Sequence, residues 1–237
     1  MSYELIITEK PSAAKKIAEA LADTKPTRKG QAGVYYYELK HNGKEIVVAC
    51  AVGHLYTVTE KEKAKGWTYP IFDIKWVDSA SINKASAFTK KYLTTIKKLA
   101  KDANEFTVAT DFDIEGEVIG YNVIRFACKK NDAKRMKYST LTKPELVKSY
   151  ENASKNLIWG QVNAGVTRHE LDWLYGINLS RALSNSIKVG GGGFKILSSG
   201  RVQGPALKIL VDKEKEIQAF KPTPYWQLTL KGKKTKE

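Results

Sequence analysis

Three carboxylates at alternate positions form the most chemically suggestive cluster in this sequence. Asp111, Asp113 and Glu115 directly follow an apolar run over residues 106–110. In an extended backbone this spacing would put all three carboxylates on one side. Acids this close raise one another's pKa values unless a cation lies between them. Hard oxygen donors suit Mg²⁺, which takes one or two protein carboxylates and completes its shell with water or phosphate oxygens. The cluster therefore predicts a magnesium site. The alternative is a plain helix N-terminus, where negative charge is also favoured.

A fourth acid, Glu9, favours the metal interpretation. It ends the apolar run over residues 5–8 and precedes Pro11, which suits the first turn of a helix. If both runs are parallel strands of one sheet, Glu9 and Asp111 lie at the same edge, where open α/β sheets bind ligands. The adjacent Lys10 would hold a phosphate oxygen while charge develops on it.

Two other polar residues near these acids have weaker claims. Glu117 is interpreted as an ordinary acid at a helix N-terminus. His54, between Gly53 and Leu55, is a secondary candidate for a phosphate or positioning contact, because a lone loop histidine is more often structural.

Alternating strand and helix patterns must position these acids. The pattern predicts strands over 5–8 and 106–110, helices from Pro11, over 85–102 and around 118–124, and a hairpin of 34–39 with 45–50 closed by Asn42-Gly43. Residues 58–83 predict an irregular surface excursion. This alternation predicts an α/β fold with a mainly parallel sheet.

The second part of the chain has a different character. Helical patterns cover 159–187 and 202–220, a glycine run over 190–193 separates them, and a short strand is predicted over 225–230. We therefore predict three units: an α/β domain over 1–150, a helical module over 151–218, and the interrupted start of another domain over 219–237. Cys50 and Cys128 are predicted to be buried core thiols.

The charge balance indicates the kind of partner. Forty basic residues against 25 acidic ones give a net charge of +15, which attracts polyanions such as nucleic acid. A cationic surface retained for solubility is the alternative. No run approaches the roughly 20 apolar residues of a membrane helix, and the N-terminus does not resemble a signal peptide. The sequence therefore predicts an intracellular, cytoplasmic protein without a membrane partner.

Several segments resemble a known family. Residues 8–15 (TEKPSAAK) and 109–117 (ATDFDIEGE) resemble the two signatures of the Toprim domain, in the form found in type IA DNA topoisomerases of the archaeal topoisomerase I and topoisomerase III branch. Residues 171–178 and 199–207 resemble the helical DNA-binding region of that family. Residues 219–222, followed by Tyr225-Trp226, resemble the entry into its arch domain. The resemblance implies a Rossmann-like Toprim domain followed by a mostly helical DNA-binding module.

The resemblance also implies an activity. In this family a tyrosine nicks single-stranded DNA, holds the 5′ phosphate covalently, and reseals the strand without ATP. By similarity, Glu9 is the acid–base group at the 3′ oxygen and Lys10 stabilises the scissile phosphate. Glu9, Asp111, Asp113 and Glu115 would form the Mg²⁺ site.

The resemblance further implies a groove for single-stranded DNA, shaped by Arg168, Asp172, Arg201 and Gln203. Arg181 is a weaker member of this set and equally well a surface helix residue. Trp173 and Tyr175 could stack on bases, but their helical positions favour the core.

One family feature is missing from the sequence. No segment resembles the tyrosine motif, in which a glycine and small hydroxyl residues precede a tyrosine that is closely followed by an arginine. We therefore expect a truncated chain, or one half of a split enzyme whose partner supplies the tyrosine. The rival hypotheses are a Toprim nuclease, which would activate water with two metals, and a DNA-binding module without chemistry.

Overall fold

A sheet built around parallel strands carries the loops of interest. The structure, a computed structural model, describes residues 2–62 and 66–234. Its strands are β1 (Tyr3–Thr8), β2 (Thr27–Gln31), β3 (Val34–His41), β4 (Lys44–Cys50), β5 (Tyr56–Glu60), β6 (Ile74–Asp78), β7 (Ala103–Ala109) and β8 (Lys134–Arg135). The larger sheet has the order β2-β3-β4-β1-β7-β8. Because β4, β1, β7 and β8 are parallel, the predicted α/β class is confirmed.

The chain forms seven α-helices in the described residues. They are α1 (Pro11–Leu21), α2 (Ser79–Ile82), α3 (Thr89–Leu99), α4 (Ile114–Asn122), α5 (Lys143–Glu151), α6 (Trp159–Val189) and α7 (Gln203–Ala219). Of these, α1 and α5 pack on one face of this sheet and α3 and α4 on the other. In β1, Leu5 and Ile7 face the cluster that contains α3 and α4, whereas Ile6 faces α1 and α5. This alternation follows from the two-residue period of a strand that is buried on both faces.

The predicted hairpin is confirmed, and a neighbouring strand was missed. β3 and β4 pair in antiparallel fashion across Asn42-Gly43, and both turn residues have positive φ, as a type I′ turn requires. The missed strand, β2, is exposed along its length and pairs with β3. Its polar sequence lacks the apolar alternation by which strands are recognised.

The prediction for residues 58–83 was wrong in part. The segment contains most of β5, all of β6 and the short helix α2, and the two strands pair in antiparallel fashion. Val58 and Trp76 pack towards the core. The long, glycine- and proline-containing connection between the strands hid their pairing. Part of that connection, residues 63–65, lies outside the described residues.

Helices dominate the second part of the chain, as predicted. α6 and α7 match the helices expected over 159–187 and 202–220, and the helix expected over 85–102 appears in shorter form as α3. The strand predicted over 225–230 is wrong, because these residues lack regular structure and Trp226, Leu228 and Leu230 are almost fully exposed. An apolar alternation forms a strand only where a partner strand accepts its hydrogen bonds.

Two smaller predictions are also settled. Both cysteines are buried free thiols. Among the described residues, none of the helices combines the length and the apolar character needed to cross a bilayer. The predicted domain boundaries near residues 150 and 218 stay predictions.

Candidate metal and nucleic-acid site

Adjacent parallel strands bring Glu9 and Asp111 to one edge of the sheet. Thr8, the last residue of β1, is in register with Ala109, the last residue of β7. Both segments then leave the sheet at its carboxyl edge, where the charge of Asp111 helps to raise the pKa of Glu9. The pairing of β1 with β7 thus makes neighbours of two acids that are about a hundred positions apart in sequence.

Lys10 lies beside this pair of acids. Its Nζ is 2.5 Å from Asp111 Oδ2 and 4.0 Å from Glu9 Oε1. The hydrogen bond to Asp111 raises the pKa of Lys10 above its ordinary value. Burial raises the pKa of Glu9, and the charges of Asp111 and Asp113 raise it further against the opposing effect of Lys10. The edge thus holds a carboxyl that retains its proton to higher pH than usual, next to a cation.

The acidic run does not continue as an extended strand. Helix α4 begins at Ile114, and Asp113 is its N-cap, with Oδ1 accepting a hydrogen bond from Gly116 N at 2.7 Å. Gly116 leaves no room for a side chain, since an added Cβ would lie 2.2 Å from the Asp111 carbonyl oxygen. Because the chain turns into a helix here, the geometry of an extended run, with all three acids on one side, does not apply to Glu115.

A buried ion pair fixes the end of β7. Arg135 and Glu117 are both fully buried, with Arg135 Nε 2.6 Å from Glu117 Oε2. Arg135 also donates to the carbonyl oxygens of Thr110, Asp111 and Met136 at 2.8–2.9 Å. The interpretation of Glu117 as an ordinary acid at a helix terminus was wrong. It neutralises the cation that holds the backbone beneath Asp111.

Glu115 is engaged by histidines and an arginine. Its Oε2 lies 3.1 Å from His54 Nε2 and 2.8 Å from His169 Nε2, and its Oε1 lies 3.3 Å from Arg168. Burial alone would raise the pKa of Glu115, but the hydrogen bond from His169 and the nearby positive charges outweigh it and lower the pKa. Burial and the proximity of His169 lower the pKa of His54.

The loop that carries His54 has a strained backbone. It follows β4, the other parallel neighbour of β1, and its amide groups bind the end of β1: Ala51 N donates to Thr8 O at 2.8 Å and Gly53 N to Glu9 O at 3.3 Å. Val52 has a φ of 56°, which is rare for a β-branched residue. Such strain persists where surrounding contacts enforce it, frequently at functional sites.

A glycine in α6 allows this helix to pack closely against α4, which carries Glu115. An added Cβ at Gly165 would lie 2.2 Å from Val118 Cγ2 in α4, so the two helices can only approach this closely with glycine there. One turn further along α6 are Arg168 and His169, which therefore reach Glu115.

Three of the four predicted groove residues, Arg168, Asp172 and Arg201, form a continuous series of ion pairs with Glu115. Arg168 lies between Glu115 and Asp172, 3.8 Å from the latter, and Asp172 accepts a hydrogen bond from Arg201 Nε at 2.5 Å. That bond lowers the pKa of Asp172 and raises the pKa of Arg201. Gln203 is exposed at the start of α7, outside this series.

Arg181, Trp173 and Tyr175, the weaker candidates for DNA contacts, lie outside this series of ion pairs. Arg181 is largely buried and bonds Glu60 and the Thr68 carbonyl oxygen, so it holds the β5–β6 connection. Tyr175 is 54% exposed, which contradicts its interpretation as a core residue, and Trp173 is only half-buried. An exposed aromatic ring on α6 is available for stacking on a base.

Sequence reasoning missed His169 and Arg135. His169 follows Arg168 and lies four positions after Gly165, on the side of α6 that meets α4, but a single histidine in a helix gives no distinctive signal. Arg135 belongs to a two-residue strand, which is too short for any periodic pattern to reveal.

A parallel sheet with Glu9 after β1 and an acidic run after β7, both at its carboxyl edge, has the arrangement of a Toprim-type domain. The Toprim domain family model matches residues 4–141, and that of the DNA topoisomerase family matches residues 157–237. DNA topoisomerase 1 of Methanocaldococcus jannaschii is 54% identical over 94% of this chain and 28% of its own length. That of Pyrococcus furiosus is 50% identical over 95% of this chain and 21% of its own length.

A solved structure supports the same fold. Full-length topoisomerase I from Thermotoga maritima aligns with a TM-score of 0.61 at 24% identity, over 92% of this chain and 31% of its own. The two family models and the archaeal relatives show that the chain belongs to the type IA DNA topoisomerase family, in the branch of archaeal topoisomerase I and topoisomerase III, as its sequence predicted. It spans less than a third of the length of either archaeal relative.

Proposed function

We propose that this chain is the N-terminal, Toprim-containing part of a topoisomerase that nicks, passes and reseals single-stranded DNA. The observation that carries the proposal is the arrangement of Glu9, Lys10 and Asp111 at one sheet edge. It combines a carboxyl of raised pKa with a cation for a phosphate oxygen. The tyrosine nucleophile is proposed to come from a region that this sequence does not contain.

In the proposed reaction the tyrosine hydroxyl releases its proton to solvent as its oxygen bonds to phosphorus, and the bond between phosphorus and the 3′ oxygen breaks. Glu9 donates its proton to the departing 3′ oxygen and takes one back during resealing. A raised pKa suits this role, since an acid must hold its proton at the working pH before giving it up. Lys10 would leave Asp111 for a non-bridging phosphate oxygen and stabilise its charge.

The residues at this edge have the donor chemistry of a magnesium site, although among the described residues their carboxylate oxygens do not converge as closely as the ligand atoms of His54, His169 and Glu115. Asp111 and Asp113 offer carboxylate oxygens, the donors that Mg²⁺ prefers, and Glu9 would join them once it has given up its proton. Their mutual repulsion, which contributes to the raised pKa of Glu9, is relieved by a bound cation. When bound, Mg²⁺ would supply positive charge next to the phosphodiester. Glu115, which faces the histidines, would join only after a change of rotamer.

DNA is proposed to reach this edge along α6. The side chains of Arg168 and Arg201 are about half exposed, so their guanidinium groups can exchange a carboxylate for a phosphate. Tyr175 offers a ring for stacking. The net charge of +15 favours association with any nucleic acid, and these positioned groups would provide the single-strand groove.

Two measurements on the purified chain test the proposal. Manganese titration followed by electron paramagnetic resonance, with Mn²⁺ as the probe for Mg²⁺, should give a site that Asp111→Asn weakens. Tight binding that is unchanged in Asp111→Asn would refute the metal assignment. Incubation of labelled single-stranded DNA with Mg²⁺ should leave the DNA intact, since the nucleophile is absent. Hydrolysis that Asp111→Asn abolishes would instead support a Toprim nuclease.

A further inference from the structure

We infer that His54, His169 and Glu115 form a site for a transition-metal ion such as Zn²⁺, distinct in chemistry from the magnesium site. One ligand atom from each residue lies within 4.8 Å of the other two. Both imidazole Nε2 atoms face the same carboxylate oxygen, at 2.8 and 3.1 Å. Among the described residues, this is the group of histidine, cysteine and acidic side chains that converges closely enough to hold a metal.

The distances suit such an ion. With bonds of about 2.0–2.1 Å in a tetrahedral site, neighbouring ligand atoms are roughly 3.3–3.4 Å apart. The two Nε2 atoms would move a few tenths of an ångström away from Glu115 Oε2, and they would approach each other from a separation of at most 4.8 Å. All three side chains are about one-third exposed, so a fourth position is open to water, as in zinc sites with three protein ligands.

The donor set separates this site from the magnesium site. Imidazole nitrogen binds zinc, copper, iron and nickel, whereas magnesium selects oxygen donors. Glu9, Asp111 and Asp113 offer oxygen alone, and His54 and His169 contribute the nitrogen. The inference depends on this donor chemistry and holds whether or not the proposed topoisomerase function is correct.

Each ligand is positioned by its own element. His169 lies within α6, which is held against α4 at Gly165, and Glu115 lies in the first turn of α4. The backbone at His54 is fixed by Ser79, whose Oγ donates to the His54 carbonyl oxygen at 3.0 Å. His54 Nδ1 is buried and has no hydrogen-bond partner among the described residues, whereas Nε2 faces Glu115 Oε2 and is the atom available to a metal.

The surrounding charges leave the ligand atoms accessible. Arg168, the nearest cation, contacts Glu115 through Oε1, not through the Oε2 that faces the histidines. Trp76 packs against the His169 ring at 5.8 Å between centroids and donates its indole N–H to Glu170. Because its three ligands lie on the β4–β5 loop, α4 and α6, a bound ion would link these elements. Its binding energy would stabilise the folded chain.

Cobalt provides a spectroscopic test. Tag-free, metal-free protein titrated with Co²⁺ should develop visible ligand-field absorption with one ion per chain, which Zn²⁺ removes and a large excess of Mg²⁺ does not. His54→Gln and His169→Gln should each weaken Co²⁺ binding by about tenfold or more, since each removes one ligand. His41→Gln is the matched control, because His41 is the remaining histidine and bonds the Leu21 carbonyl oxygen instead.

Further variants separate this site from the magnesium site and from effects on folding. Asp111→Asn should retain the Co²⁺ absorption even if it abolishes Mn²⁺ binding. Zn²⁺ should raise the unfolding temperature of the parent chain but not that of Glu115→Gln, and circular dichroism should show each variant to be folded. The inference is overturned if the parent shows no Co²⁺ absorption, if the His54 and His169 variants bind like the parent, or if Asp111→Asn abolishes the signal.

Discussion

Removing one charge of the buried pair of Arg135 and Glu117 should strongly destabilise the α/β domain. Glu117→Gln keeps the shape of the side chain and an acceptor for the Ile158 N–H, which now donates to Glu117 Oε1 at 2.8 Å. It removes the charge that faces Arg135 across 2.6 Å, where neither side chain is exposed to solvent. A buried cation without its partner costs about 3–5 kcal/mol of stability.

Urea unfolding of the chain, followed by circular dichroism, measures this cost. With a typical slope of about 1–3 kcal/mol per molar urea, the midpoint should fall by roughly 1 M or more. Glu216→Gln is the control: it breaks a pair with Lys213 in which both side chains are 68% exposed, and such pairs contribute only about 0–1 kcal/mol. If Glu117→Gln costs no more than this control, the role given to Arg135 beneath Asp111 is wrong.

Three other predictions concern packing, pH and DNA binding. Gly165→Ala should destabilise the chain by about 1–3 kcal/mol, because its Cβ would overlap Val118; urea unfolding equal to the parent would contradict the close approach of α6. Burial alone would raise the pKa of Glu4, but hydrogen bonds from Lys44, Thr107 and Tyr150 outweigh it and lower the pKa below 4.5. Glu4 therefore contributes stability above pH 4.5 that is lost as the pH falls through its lower folded pKa. In Glu4→Gln the free energy of unfolding should depend less on pH in that window. An unchanged pH dependence would count against these hydrogen bonds. Arg201→Ala should weaken single-strand binding and reduce its salt slope by about one, and an unchanged slope would remove Arg201 from the groove.

The sequence predicted those parts of the fold that depend on local pattern. The apolar runs ending at Glu9 and Asp111 are strands whose carboxyl ends meet, because parallel pairing follows from their alternation with helices. The Asn42-Gly43 turn specified its hairpin. Strand β2 and the pairing of β5 with β6 escaped prediction, since polar strands and strands joined by a long connection carry little periodic signal.

The site was predictable in its acids but not in their partners. Motif spacing indicated Glu9, Asp111, Asp113 and Glu115, yet it gave no sign that Glu115 faces His54 and His169. Those contacts depend on how closely α6 packs against α4, which a glycine one turn away allows. Long-range packing of this kind is a tertiary property, and a single sequence does not display it.

Plasmid relaxation tests the central proposal most directly. This chain would replace the corresponding segment of DNA topoisomerase 1 from Methanocaldococcus jannaschii, to which it is 54% identical, and the chimera would be assayed on negatively supercoiled plasmid with Mg²⁺ and without ATP. Relaxation that is lost on Glu9→Gln is the predicted result. A folded chimera that fails to relax DNA, or one that relaxes it equally well with Glu9→Gln, would contradict the account.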